Sequence, residues 1–109
     1  MQAFGLIELF RPRASWYRLS SEEKAAFFEK VKSSIERAVN DGAKLHGPYM
    51  CRWSTEWQMF AFWEVQSLED VEALARDAED IGWYEYFEQS NIVGSKSTPE
   101  EYSEKIAKV

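Results

Sequence analysis

The chain has 109 residues, enough for one domain with its own core, and 45% of them are hydrophobic, which excludes a disordered segment. With 19 acidic against 13 basic residues the net charge is -6, a surface that repels phosphate backbones and anionic lipid. Neither nucleic acid nor membrane is therefore expected as a partner. The aromatic fraction of 16%, with five Trp, is high for this length and calls for burial in a core, an interface or a ligand pocket.

Cys51 is the only cysteine, so no internal disulfide can form, and one His leaves no recognisable metal-ligand spacing. Neither a metal nor any other cofactor is expected. The apolar start lacks a basic flank and carries Glu8, unlike a signal peptide, and no apolar run reaches bilayer length. A cytoplasmic protein is the simplest expectation.

In chain order, residues 3–11 form a nearly continuous apolar run ended by Pro12, the pattern of a strand buried on both faces. Ser20 with Glu23 reads as a capping box. Phe27, Phe28, Val31, Ile35, Ala38 and Val39 then recur at helical spacing up to Asp41-Gly42. Residues 43–53 and 56–65 read as two aromatic-rich strands around a hairpin turn at Ser54-Thr55. Ser67 with Asp70 starts a second helix. Its stripe is Val71, Leu74, Ala75, Ala78 and Ile81, and Gly82 ends it. Residues 83–87 are an aromatic cluster, 88–94 a fourth strand, and Thr98-Pro99 opens a short last helix.

The order strand–helix–strand–strand–helix–strand is the split pattern of ferredoxin-like α+β folds, with the first and third strands central in a four-stranded antiparallel sheet. Residues 1–94 are expected to form this domain, with 95–109 a C-terminal helix packed on it. The central strands do not alternate apolar and polar. Ile7 and Leu9 lie opposite Phe4, Leu6 and Phe10, and Phe60 and Phe62 lie opposite Trp57, Met59, Ala61, Trp63 and Val65. The sheet's second face thus needs a cover, which a second copy of the chain would provide: a homodimer is expected.

The layout is similar to the dimeric α/β-barrel superfamily, which includes small cofactor-independent monooxygenases and polyketide cyclases. More narrowly, three stretches resemble one short bacterial family without an assigned function. They are the run from Gly82-Trp83-Tyr84-Glu85-Tyr86-Phe87-Glu88-Gln89 to Asn91, the opening Ile7-Glu8-Leu9-Phe10-Arg11-Pro12, and Phe62-Trp63. The resemblance spans residues 3–94. It implies the fold and the dimer and transfers no catalytic residue.

Glu8, an acid inside an apolar run on a central strand, is either a proton-transfer group poised by burial or a structural hydrogen-bonding group, with Asn91 its expected partner. His46, the only imidazole, is either catalytic or a solvated residue of an edge strand. Tyr84 joins them as a catalytic candidate. Trp63, Trp83, Tyr86, Asn91 and Arg52 are candidates for lining a pocket, the aromatics being alternatively core and Arg52 alternatively a surface ion-pairing residue. Two functions remain: a cofactor-independent enzyme or binder of a small apolar or aromatic metabolite, and a non-catalytic dimeric structural or regulatory module.

Overall fold

In the computed structural model, residues 3–53 and 56–109 are described. The elements are β1 (Phe4–Pro12), α1 (Ala14–Tyr17), α2 (Ser21–Asn40), β2 (Lys44–Met50), β3 (Met59–Val65), α3 (Leu68–Asp80), α4 (Trp83–Tyr86), β4 (Phe87–Ser95) and α5 (Pro99–Ala107). The strands form one antiparallel sheet in the order β2-β3-β1-β4, the expected ferredoxin-like topology with β1 and β3 in the centre.

Both long helices start where their side chains satisfy the first free amides. Ser20 Oγ accepts from the Glu23 amide at 3.1 Å while Glu23 Oε1 accepts from the Ser20 amide at 2.9 Å. Ser67 and Asp70 repeat the arrangement at 3.2 Å in both directions. Each such cap is worth about 1 kcal/mol. The Ser20 amide also holds the Glu23 carboxyl below its ordinary range.

The sheet's inner face carries Leu6, Phe10, Ala61, Trp63 and Val65, all buried under the helices. Two apolar clusters result. One joins Phe10, Ala61 and Phe87 to Phe27 of α2 and Trp16 of α1. The other joins Leu6, Trp63 and Val65 to Ala38 of α2. Helix α1, a single turn, has no helical periodicity to announce it. It exists because Trp16 is pinned among Phe27, Tyr86 and Phe87, while Ser15 Oγ donates to the Glu85 carbonyl at 2.7 Å and the Arg13 amide to the Tyr86 carbonyl at 2.7 Å.

The structure corrects the strand bounds and adds three features. The second and third strands are shorter than 43–53 and 56–65. The ladder stops at Met50 and Met59, because the overhanging residues, such as the fully exposed Trp53, have no apolar layer to cover; the turn at Ser54-Thr55 lies outside the described residues. Between His46 and Tyr49 the edge strand also carries an irregularity at Gly47-Pro48, where Gly47 has φ +110° and an added Cβ would lie 3.0 Å from the Tyr49 ring. The aromatic stretch 83–87 is mostly a helical turn, α4, that feeds Phe87 into β4. Finally, every residue of α5 is exposed, Tyr102 and Ile106 included.

The outer face of the sheet is also as apolar as anticipated, but within one chain it is only half covered. Ile7 pairs with Phe62 and Ile92, and Leu9 with Phe60. Tyr49 stacks on Phe60 at 4.9 Å. Gly5 makes room for the Phe62 ring, which would lie 3.0 Å from an added Cβ. Among the described residues no helix lies across this surface with buried contacts, and Ile92 and Tyr49 stay about half exposed.

Candidate functional site

Period-two alternation on β1 sends Glu8 to the same side as Leu6 and Phe10, beneath the helices. On β3 the same parity brings in Trp63, and on β4 Gln89 and Asn91. Asn91 is directly opposite Glu8 in the register, whereas Trp63 and Gln89 are its diagonal neighbours, close enough for long side chains to meet. Trp63 Nε1 donates to Glu8 Oε1 at 2.7 Å, and Gln89 Nε2 donates to Glu8 Oε2 at 2.9 Å. Gln89 Nε2 also donates to Asn91 Oδ1 at 2.8 Å, and Gln89 Oε1 accepts from Trp83 Nε1 at 2.7 Å.

The expected pairing of Glu8 with Asn91 is thus corrected. The register is right, but Gln89 makes the contact and Asn91 stands one bond further out. Indole chemistry decides this. Trp83 Nε1–H can only donate, so the Gln89 carbonyl must face it and the amide nitrogen must face Glu8. Gln89 was legible only as an i, i+2 neighbour of Asn91 on one strand face; its partnership with Trp83 depends on how α4 turns.

This network sits on the wall of a cavity of about 420 Å³ between the sheet and the helices. The sheet supplies Glu8, Phe10, Ala61, Trp63 and Gln89. Helix α2 contributes Phe28, Val31, Ser34 and Ile35, and α3 contributes Leu74, Ala78 and Ile81. Trp83, stacked on Phe87 at 4.1 Å and edge-on to Phe10 at 5.3 Å, closes one end. No residue of α3 is fully buried. Of its apolar stripe, read from the sequence as core, Val71 and Leu74 pack on the cluster of Leu6, Trp63 and Val65, while Leu74, Ala78 and Ile81 border this space. Phe28 lines the cavity while half exposed, which puts it at the opening between the two helices.

Burial raises the Glu8 carboxyl above its ordinary 4.5, and the bonds from Trp63 and Gln89 pull in the other direction without cancelling it. Burial also raises the Tyr84 hydroxyl, with the negative charges of Glu8 and Glu79 adding to the effect. A carboxyl whose folded value exceeds 4.5 retains a proton that the unfolded chain has already released. Its contribution to stability is complete below 4.5 and is lost as pH rises through the raised value. Urea midpoints measured between about pH 4.5 and 8 should therefore fall more steeply with pH in the wild type than in Glu8→Gln; parallel profiles would show that Glu8 titrates normally.

The other candidates lie elsewhere. His46 pairs with Phe62 on the outer face, its Nε2 3.8 Å from Glu64 Oε2, so the cavity contains no imidazole. Arg52 is exposed beyond the end of β2. Tyr86 packs against Trp16 and Phe27 in the core, and Tyr84 is half-buried without lining the cavity. Arg11, on the outer face, donates from Nε to Glu88 Oε2 at 2.7 Å, and that bond holds the Glu88 carboxyl below its usual range. Among the described residues no group of three or more His, Cys, Asp or Glu side chains is placed to hold a metal ion, and no helix is long and apolar enough to cross a membrane.

A family model of unknown function, DUF6616, matches residues 3–109. The chain belongs to that family. No curated protein sequence matches the chain. Its fold is similar to chlorite dismutase from Candidatus Nitrospira defluvii. Against an arginine-to-lysine variant of that enzyme the TM-score is 0.78 at 18% identity, over 98% of this chain and 45% of the other. A tryptophan-to-phenylalanine variant in complex with cyanide gives 0.77 at 13% identity, over 89% and 41%. The same enzyme in complex with imidazole gives 0.69 at 19% identity, over 97% and 45%. This DUF6616 chain therefore spans less than half the length of those chains. At such identities the likeness concerns architecture, the ferredoxin-like unit of the chlorite-dismutase-like α/β barrels, and carries no activity with it.

Proposed function

We propose that the protein binds a small apolar or aromatic metabolite in the cavity between sheet and helices, with Glu8 as the group that exchanges a proton with it and no cofactor required. The observation that carries this reading is a carboxyl with a raised pKa on the wall of a largely apolar cavity of about 420 Å³, within the range of small-molecule sites. Each Glu8 oxygen accepts one internal bond, which leaves a lone pair on each for a ligand. Tyr84, outside the cavity wall but with a hydroxyl that feels the Glu8 charge, is the second proposed participant; His46 pairs with Phe62 on the other face of the sheet, and Arg52 lies beyond the end of β2. Catalysis of the monooxygenase or cyclase kind is proposed by analogy with the superfamily alone.

We also propose that the protein acts as a homodimer whose outer sheet faces meet. The support is the contiguous apolar surface of Ile7, Leu9, Phe60 and Phe62 left half covered in one chain, and a two-fold contact lets one such face cover another.

The alternative, a non-catalytic module, draws support from the same bonds, since Trp63 and Gln89 already give Glu8 a structural role. Ligand screening by native mass spectrometry separates the two readings. Wild-type protein is expected to retain an apolar ring compound, and Ala78→Phe, which fills the cavity from α3, to lose it while staying folded. Absence of any bound compound from a screen of aromatic metabolites, with Ala78→Phe indistinguishable from wild type, favours the non-catalytic module.

A further inference from the structure

We propose that the cavity selects an organic cation: an ammonium or similar protonated nitrogen carried on an apolar, ring-sized body, with the Glu8 carboxylate as its counter-charge. The inference rests on reading the cavity as a ligand site and adds the charge of the ligand.

The first ground is an imbalance of charge. Of the side chains that line the cavity Glu8 alone is acidic, and none is Lys, Arg or His. The nearby cations have other engagements. Arg11 binds Glu88 on the opposite face of the sheet, Arg13 Nε donates to the Tyr84 carbonyl at 3.0 Å, and Lys24 lies over the Trp16 ring at 5.5 Å. Glu8 has hydrogen-bond donors but no compensating positive charge, an expensive state for a group taken out of water.

The second ground is the direction of the hydrogen bonds. Trp63 can only donate, and Gln89 is held by Trp83 with its amide nitrogen toward Glu8. Both internal partners thus favour the ionised form, and neither offers an acceptor to a Glu8 proton. The remaining lone pairs suit a ligand N–H, best of all a charged one.

Third, the surroundings suit a cation. Phe10, Phe28 and Trp83 place aromatic rings on the cavity wall, and aromatic rings attract a desolvated positive charge. Outside, α3 carries six acidic residues against Arg76, whereas α2 is balanced with four of each sign, so the opening between the helices lies in a negative field. An anion would meet no basic side chain there.

Three probes of one shape test this on the full-length wild type, followed through the indole N–H resonances of Trp63 and Trp83: 2-phenylethylammonium, 2-phenylethanol and propylbenzene. At about pH 7.5 the ammonium is expected to bind at least about tenfold more tightly than either neutral probe. Glu8→Gln should abolish that preference and leave the propylbenzene affinity in place. The exchange variant Glu8→Gln with Gln89→Glu, which keeps a carboxylate on the cavity wall, should restore it. Should phenylethanol or propylbenzene bind wild type as tightly as the ammonium, cation selection is overturned and the apolar ligand site stands. Failure of all three to shift either indole signal overturns the ligand site itself, and the selectivity with it.

Discussion

Glu8→Gln is expected to destabilise the protein by about 1–3 kcal/mol, and the exchange variant Glu8→Gln with Gln89→Glu to recover most of that loss. The argument is one of donors and acceptors. The chain of contacts from Trp63 through residues 8 and 89 to Trp83 has an indole N–H at each end. Two donors at the ends require three acceptors and one donor between them. Glutamate at 8 with glutamine at 89 satisfies this. Two glutamines leave one N–H facing another, whichever way their amides are turned. Two carboxylates, as in Gln89→Glu alone, leave two oxygens face to face at the present 2.9 Å spacing, so that single change should cost at least as much as the first. The exchanged pair is again a carboxylate beside an amide, now with the acid on β4. A double-mutant cycle in urea should therefore show a coupling of about 2 kcal/mol or more in favour of the exchange. Additive effects would mean that Trp63 and Trp83 do not hold the pair at all.

Phe62→Glu is expected to turn a dimer into a folded monomer, weakening association by more than about a hundredfold. Phe62 lies on the outer face between Ile7 of β1 and His46 of β2, its ring over Gly5. In the proposed dimer it would meet the second sheet near the centre of the contact, where a carboxylate has no partner. In the isolated chain that side remains half open to water, so the variant should keep its circular dichroism spectrum. Light scattering at micromolar concentration decides the matter. A wild type of monomer mass removes the proposal, and so does a Phe62→Glu variant that stays dimeric. If the dimer breaks while the indole signals of Trp63 and Trp83 are unchanged, the cavity belongs to each chain separately, as its position on the opposite face of the sheet implies.

Much of this architecture was readable from local pattern. The two capping boxes, the left-handed Gly82 after α3 and the double-sided apolar strands were enough to order the elements and to place β1 and β3 in the centre. Glu8 stood out for the same reason: a carboxylate in an apolar run is costly, and it was found beneath the helices with a raised pKa. What local pattern left open lay where contacts join distant parts of the chain. Trp16 gives α1 its single turn only through partners in α2, α4 and β4. His46 was a candidate because it is the sole imidazole, a matter of composition, and the register of β2 against β3 sends it to the other side of the sheet.

What the amino-acid sequence determined by itself was which residues must avoid water and with what period, because burial and backbone geometry act within a few residues along the chain. It therefore specified the helices, the strand faces and the one acid among apolar neighbours. Only the tertiary structure decided that Leu74, Ala78 and Ile81 of α3 would border an empty space, and that Gln89, not Asn91, would reach Glu8. Those outcomes depend on the separation of two helices from the sheet and on the one-way donor of Trp83, distances between segments that no local pattern encodes.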